Sequence, residues 1–400
     1  MGNVISDAAA FEPRARAAVG TIDYARTARI PWYVWCLTAA ITSQAIGGYW
    51  DISWHISIGR DTFWTPAHMM TYLAGVLAGI ASGYAILATT FGSSDSAKDT
   101  SVSVWGFRGP LGCFMAAWGG IAMLTSAPFD NWWHAAYGLD VKIVSLPHSM
   151  LAFGEAMINF GTVILVCAHV NRAAGAYREK LNWLLLYSGG IVTFGSALFI
   201  LESTPMEMMH SARFYESVAR AFPIALIAIS CVSSSRWPAT TMAAIYMGLF
   251  IAGLWIFPLF AAAPKLGPVY QSITHMVPLW FPVLLIVPAI ALDVLRRLMG
   301  KRWGRWQAGL VAGFVYIFAF VAAQWPFADF LISQAARNRI FGTIYFGYSD
   351  PANLLYNPYH FMAHEGPGEF AFGMALALLF SIVFCSIGMA IGNWLRTVQR

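Results

Sequence analysis

Apolar residues in this chain come in long unbroken runs, not in alternation and not in narrow helical stripes. Ten such runs fall near 31–50, 66–92, 109–127, 145–170, 183–203, 219–234, 239–262, 276–295, 305–323 and 369–394. An α-helix needs roughly 20 apolar residues to cross the hydrocarbon core of a bilayer, and most of the runs have that length. The stretches between them carry Gly, Pro, Ser and charge, as in Gly92-Ser93-Ser94-Asp95 and Asn171-Arg172. Strands of a membrane barrel would be half as long and would alternate, so a barrel is excluded. The pattern predicts an all-α polytopic membrane protein with about ten transmembrane helices, surrounded by a lipid bilayer.

Composition agrees. The chain is 58% hydrophobic and 11% charged, against about 25% charged in soluble proteins. Its 17 tryptophans suit rings that sit at membrane interfaces. The net charge of +5 sits at run ends and forms no separate patch, so a nucleic-acid partner is not expected. The five cysteines stand singly in apolar runs with no C-x-x-C pair, which reads as buried small apolar residues and not a disulfide framework. Met1 to Arg29 lacks the apolar core of a cleavable signal peptide and reads as a cytoplasmic N-terminal tail.

Charge also predicts orientation. With the N-terminus inside, the inner segments hold 17 Lys and Arg and the outer ones hold 7. Basic residues favour the cytoplasmic side, so both termini are expected there, in a bacterial or archaeal inner membrane. The histidines then sort themselves. His55, His68, His134, His148, His210, His275, His360 and His364 fall on the extracytoplasmic side, and His169 alone falls inside. The expected organisation is the tail 1–29, a four-helix half 30–180, and a six-helix half 181–400 with an extracytoplasmic loop near 324–368.

The four-helix half carries a duplicated constellation. Asp51, His55 and His68 are followed by Asp130, His134 and His148. Asp and His are four apart in both copies, one helical turn on one face. Twelve residues separate the two histidines of the first copy and thirteen those of the second. The third ligand opens the next run beside Pro66 or Pro147, where proline suits the first turn. One carboxylate and two imidazoles make an open-sided set that suits copper, zinc or ferrous iron. Asp61 and Asp140 each fall ten residues after the first Asp of their copy. They are candidates to orient the imidazoles through the second ring nitrogen, or to pair with Arg60 and Lys142.

Trp54-His55, Arg60-Asp61-Thr62 and Thr65-Pro66-Ala67-His68 together resemble the metal-site motif of the C subunit of particulate methane and ammonia monooxygenases. The resemblance covers roughly residues 30–170. It implies copper held by Asp51, His55 and His68 as the catalytic site, with a neighbouring metal site at Asp130, His134 and His148. It also implies oxidation of a small hydrophobic substrate with O₂, alongside other monooxygenase subunits or in a homo-oligomer. Asp130 stands where the family has Asn, which adds negative charge to the second site. A metal-binding transporter or metal-delivery protein, using the same ligands without oxidation, is the alternative.

Three further features bear on these expectations. Glu155 lies two turns beyond His148 with Asn159 one turn further, placed to support the site or to carry protons inward, or else to make a helix–helix contact. Pro205-Met206-Glu207-Met208-Met209-His210 is rich in soft ligands and reads either as a copper-uptake point or as an interfacial segment with Met as filler. His360 and His364 have helical spacing, but no Glu follows the first His as a zinc-protease motif requires. The chain has no phosphate-binding glycine loop and no nucleophile elbow, so neither ATP-driven pumping nor hydrolase chemistry is expected.

Overall fold

In chain order the helices are α1 (Trp32–Ser57), α2 (Pro66–Phe91), α3 (Asp95–Asp99), α4 (Leu111–Tyr137), α5 (Leu146–Arg172), α6 (Gly175–Phe199), α7 (Ala212–Ala221), α8 (Pro223–Val232), α9 (Pro238–Ile256), α10 (Ile286–Leu298), α11 (Arg305–Ile332) and α12 (Pro367–Leu395). The computed structural model describes residues 29–59, 61–138, 145–264, 273–299, 303–345 and 365–400, the side chains of 207 and 305 excepted. The sheet content among them is one antiparallel hairpin, β1 (Val102–Val104) and β2 (Phe107–Gly109), between α3 and α4.

The helix starts follow from sequence. α2, α8, α9 and α12 open on proline, whose missing N–H costs nothing in a first turn. α5 and α7 open behind Ser145 and Ser211, whose hydroxyls accept from the N–H groups of His148 and Phe214. A cap of this kind is worth about 1 kcal/mol.

Among the described residues, eight segments are long and apolar enough to cross a membrane: 66–91, 111–137, 146–172, 175–199, 212–232, 238–259, 306–332 and 367–395. They correspond to eight of the ten apolar runs. The run at 31–50 lies in the 26-residue α1, which is long enough but carries Thr38, Thr42, Ser43, Gln44 and Asp51. The run at 276–295 departs most from expectation. Only its second half is helical, in the 13-residue α10. Pro278 and Pro282 lack the N–H that a helix needs and clash with the preceding turn, so residues 276–282 stay non-helical despite their hydropathy.

That non-helical stretch is mostly buried, and its backbone is satisfied by side chains. Val277 donates its N–H to the Ser57 hydroxyl at 2.7 Å, while the Ser53 hydroxyl donates to the Val277 carbonyl at 2.6 Å. Leu279 donates to the Tyr49 hydroxyl and Leu284 to the Gln324 amide oxygen. Irregular backbone away from water requires such partners. Tyr49, Ser53 and Ser57 all lie on α1, so this clamp holds the half of α1 that also carries Asp51 and His55.

The first half is a ring of four helices. α1 packs on α2, α2 on α4, α4 on α5, and α5 returns to α1. Glycines bring α4 and α5 together most closely. A Cβ on Gly119 would stand 2.6 Å from the Gly154 carbonyl, and one on Gly161 would stand 2.5 Å from that of Gly112. Only glycine permits this approach, as at many membrane helix contacts. Because the four helices alternate in direction, the α1–α2 and α4–α5 loops emerge at the same end. Both copies of the Asp-His pattern therefore sit side by side. In the second half, α12 packs against α7, α8 and α11, and α9 against α6 and α10.

Candidate metal centre

α1 remains helical through Ser57, so Asp51 and His55 stand one turn apart at its end. Gly59 then turns the chain with φ +92°, a conformation that glycine adopts without strain. Thr62 and Thr65 form a reciprocal turn: the Thr62 N–H reaches the Thr65 hydroxyl at 2.8 Å, and the Thr65 N–H reaches the Thr62 carbonyl at 2.9 Å. The Thr62 carbonyl also accepts from His68 Nδ1 at 2.9 Å. That bond fixes the ring and aims Nε2 into the loop, as carbonyls do for metal-binding histidines.

Two carboxylates meet His68 Nε2. Asp51 Oδ1 lies at 3.1 Å and Asp61 Oδ2 at 2.8 Å. His55 Nε2 approaches the same pair, at 3.7 Å from Asp51 Oδ2 and 3.4 Å from Asp61 Oδ2. One ligand atom each of Asp51, His55 and Asp61 lies within 4.8 Å of the others. The cluster is half-sheltered: His68 and Asp61 are 19% and 18% exposed, and His55 is 51% exposed. Burial works against the charged form of Asp61, yet hydrogen bonds from His55 and His68 outweigh it and hold the carboxyl well below the usual carboxylate range. Asp51 Oδ1 is inaccessible to water and lacks a well-aligned hydrogen-bond donor. A buried acceptor in that condition suits a cation.

This arrangement differs from the sequence expectation in one respect. Asp61 was a candidate to orient an imidazole through its second nitrogen or to pair with Arg60. It faces instead the same Nε2 that Asp51 faces, and Thr62 performs the orienting role. Two imidazoles and two carboxylates thus converge at the loop, and Asp51, His55 and Asp61 are the three close enough together to share an ion. Arg60 lies outside the described residues.

The second copy is built otherwise. His134 Nδ1 donates to the Gly138 carbonyl at 3.0 Å, where Gly138 turns with φ +85°. His134 Nε2 then faces Asp130 Oδ2 at 3.4 Å. His148 shows Asp130 its other nitrogen: Nδ1 is 3.9 Å from Oδ1, and 2.7 Å from the Ser145 hydroxyl. The two imidazole centroids are 6.5 Å apart. Asp130 Oδ1 is, like Asp51 Oδ1, a buried acceptor without an aligned donor. Asp140 and Lys142, which would show whether a second carboxylate closes this copy, lie outside the described residues.

Two side chains connect the copies. Tyr72, one turn beyond His68 on α2, has its ring centroid 6.0 Å from that of His68 and lies within electrostatic reach of Asp51, Asp61 and Asp130. Sequence reasoning passed over it, although its i+4 spacing from His68 was the available signal. Glu155, on the helix that carries His148, lies within electrostatic reach of Asp51. Asn159 Oδ1 on α5 and Gln44 Oε1 on α1 are buried acceptors without donors.

The other candidates resolve differently. Met206 and Met209 are core residues, 1% and 0% exposed, and Met209 sulfur accepts from the Gln324 amide. His210 faces Asp329 at 3.2 Å and packs its ring on Trp325. This segment anchors α11 and fits the filler reading. Glu365 accepts from the Ala212 N–H at the start of α7. His360 and His364 lie outside the described residues. No protein-family model, curated protein or solved structure matches the chain.

Proposed function

We propose that this chain is a copper-binding membrane protein that oxidises a small hydrophobic substrate with O₂, with Asp51, His55, Asp61 and His68 as the metal-holding residues. The observation that carries the reading is the convergence of two carboxylates on His68 Nε2 while Thr62 holds Nδ1. Imidazole and carboxylate together suit Cu(II) in a tetragonal site, with zinc and iron the competing metals. Two carboxylates balance the charge of a divalent ion, and the buried Asp51 Oδ1 is an acceptor that such an ion would satisfy. Bound and reduced copper would supply O₂ activation. The chain's own contribution is to orient His68, to keep the Asp61 carboxylate ionised through the hydrogen bonds from His55 and His68, and to place the site where apolar helices admit a hydrophobic molecule. Asp130, His134 and His148 form the neighbouring site, for a second metal or for handing one over.

The reading extends the resemblance to the C subunit of copper membrane monooxygenases. It includes about ten spans, both termini in the cytoplasm, and metal sites facing outward from a bacterial or archaeal inner membrane. Oxidation would require an electron source and partner subunits or further copies of the chain.

A specific observation supports the alternative, a metal-delivery or transport protein. Glu155, Asn159 and Gln44 carry acceptor oxygens on α5 and α1 below the Asp51 cluster, in the direction a cation would travel. The test is metal analysis of the purified protein with His55→Ala and His134→Ala alongside. Absence of stoichiometric metal in the wild type sinks both readings. Copper without an O₂-dependent product, given reductant and small hydrocarbons, removes the oxidation reading and leaves delivery.

A further inference from the structure

The ring of α1, α2, α4 and α5 turns polar residues inward along its whole length. Among the described residues, most buried polar atoms without a hydrogen-bond partner belong to it: Gln44 Oε1, Asp51 Oδ1, Ser82 Oγ, Asp130 Oδ1, Asn159 Oδ1 and His169 Nε2. With 3.6 residues per turn, Tyr33, Gln44 and Asp51 share one face of α1, and Glu155, Asn159 and His169 share one face of α5. Both faces stand opposite the exposed apolar residues of their helices, which are Trp35 and Ile46 on α1 and Phe153 and Phe160 on α5. Glu155 is only partly buried although it points away from Phe153 and Phe160, so its accessible part is turned into the ring and not toward lipid.

The two polar faces meet near both ends. At the loop end Glu155 lies within electrostatic reach of Asp51. At the far end the His169 ring is 6.3 Å from that of Tyr33, and Arg172 acts on His169 from the next turn of α5. Between these contacts Gln44 and Asn159 each stand thirteen residues, about 20 Å, from the loop end of their helices. Ser82 on α2 stands three residues further in. The result is a seam of polar atoms between the Asp51 cluster and the opposite end of the ring.

An ionisable side chain inside a membrane span is costly and usually functional. Buried polar atoms without protein partners are the positions that internal water serves. A metal ion needs several ligands at one level, whereas between Asp51 and His169 the seam offers one or two polar atoms per level, with a guanidinium close to its far end. A proton needs only successive acceptors. We propose that this seam carries protons between the far end of the ring and the Asp51–His68 cluster, with Glu155 as the carrier. A proton taken up at the far end passes His169 Nε2 and shared water to the Glu155 carboxylate, and leaves it for water at the cluster. Each group returns to its starting form and no electron moves. Reduction of O₂ would consume such protons, but conduction depends on neither copper nor oxidation.

Proton flux into phosphatidylcholine liposomes containing the full-length protein tests this, with a pH-sensitive dye inside and a potassium diffusion potential as the driving force. The wild type should conduct protons faster than empty liposomes, and stripping metal with EDTA should leave that rate in place. Glu155→Gln should return the rate to that of empty liposomes, Glu155→Asp should keep conduction because the carboxyl remains, and Glu202→Gln, an exposed acid elsewhere, should change nothing. Asn159→Leu removes a polar step without altering charge and should also abolish conduction, so the inference remains testable if Glu155→Gln does not fold. Wild-type flux no faster than that of empty liposomes, a rate that vanishes with the metal, or full flux in folded Glu155→Gln or Asn159→Leu would overturn it.

Discussion

In the α1–α2 loop a backbone carbonyl holds Nδ1 of the histidine that opens the next helix; in the α4–α5 loop a backbone carbonyl holds Nδ1 of the histidine at the end of the first helix. His68 is fixed through Nδ1 by the Thr62 carbonyl and shows Nε2 to two carboxylates, whereas His55 is half exposed. His134 is fixed through Nδ1 by the Gly138 carbonyl, whereas His148 turns Nδ1 toward the Ser145 hydroxyl and stays 3.9 Å from Asp130. Asp-x-x-x-His spacing is therefore not enough to define a site. The residues of the turn decide which nitrogen faces inward. Thr65 spends its hydroxyl on the Thr62 N–H, which leaves the Thr62 carbonyl to hold His68. The Ser145 hydroxyl accepts from the His148 N–H and shares a hydrogen bond with His148 Nδ1.

The largest test of this contrast is the pair His68→Ala and His148→Ala. Removing His68 takes away the imidazole that lies nearer to both carboxylates, and stoichiometric metal should be lost. Removing His148 should leave the metal of the first loop in place. Elemental analysis of both purified variants decides this, and equal loss in the two would mean that the loops act as one site.

Asp61→Asn comes next. If Asp61 binds metal directly, neutralising it should weaken affinity by at least the 10–100-fold typical of a supporting residue, read by competition with a chelator of known affinity. A change under twofold would return Asp61 to an orienting role and make the two loops more alike than they look.

Much of this was legible in the sequence. The 3.6-residue period places Asp51 under His55 and Asp130 under His134 before any coordinates exist. Eight of the ten apolar runs are helices able to cross a membrane. What was not legible depends on turns. Asp61 reaches His68 because Gly59 and the Thr62–Thr65 pair fold the loop back on itself, and spacing alone does not report that reversal. Hydropathy likewise misread 276–285. It counts apolar residues and ignores the N–H groups that Pro278 and Pro282 lack; the backbone of Val277, Leu279 and Leu284 that is thereby left out of a helix is paired by Tyr49, Ser53, Ser57 and Gln324 from distant parts of the chain. The Met206–His210 segment shows the reverse problem, since soft-ligand residues can pack a core equally well.

A third test concerns what lies between the loops. Tyr72 has no equivalent in the second copy, where Ala152 holds the corresponding position after His148. Tyr72→Phe keeps the ring beside His68 and removes the hydroxyl. Metal content should stay within about twofold, since His and Asp side chains supply the proposed donors, whereas O₂-dependent turnover should fall if Tyr72 serves the site electrostatically. Unchanged turnover would reduce Tyr72 to packing against Phe63.

The smallest expected effects come from the turn residues, and they address the cause of the contrast directly. Thr65→Val keeps the buried shape and deletes the hydroxyl that accepts the Thr62 N–H. One neutral hydrogen bond is worth about 1 kcal/mol, so the His68 brace should loosen and metal affinity should fall about fivefold, well short of the loss from His68→Ala. Ser145→Ala should cost α5 about 1 kcal/mol through its cap, visible as a modest drop in Tm. It also releases His148 Nδ1 from the hydroxyl at 2.7 Å. In a His68→Ala background, where the first loop is silent, Ser145→Ala should therefore raise whatever metal the second loop retains. If it lowers that metal instead, Ser145 is holding His148 in its binding orientation, and the second loop is a site of its own design, not a weakened copy of the first.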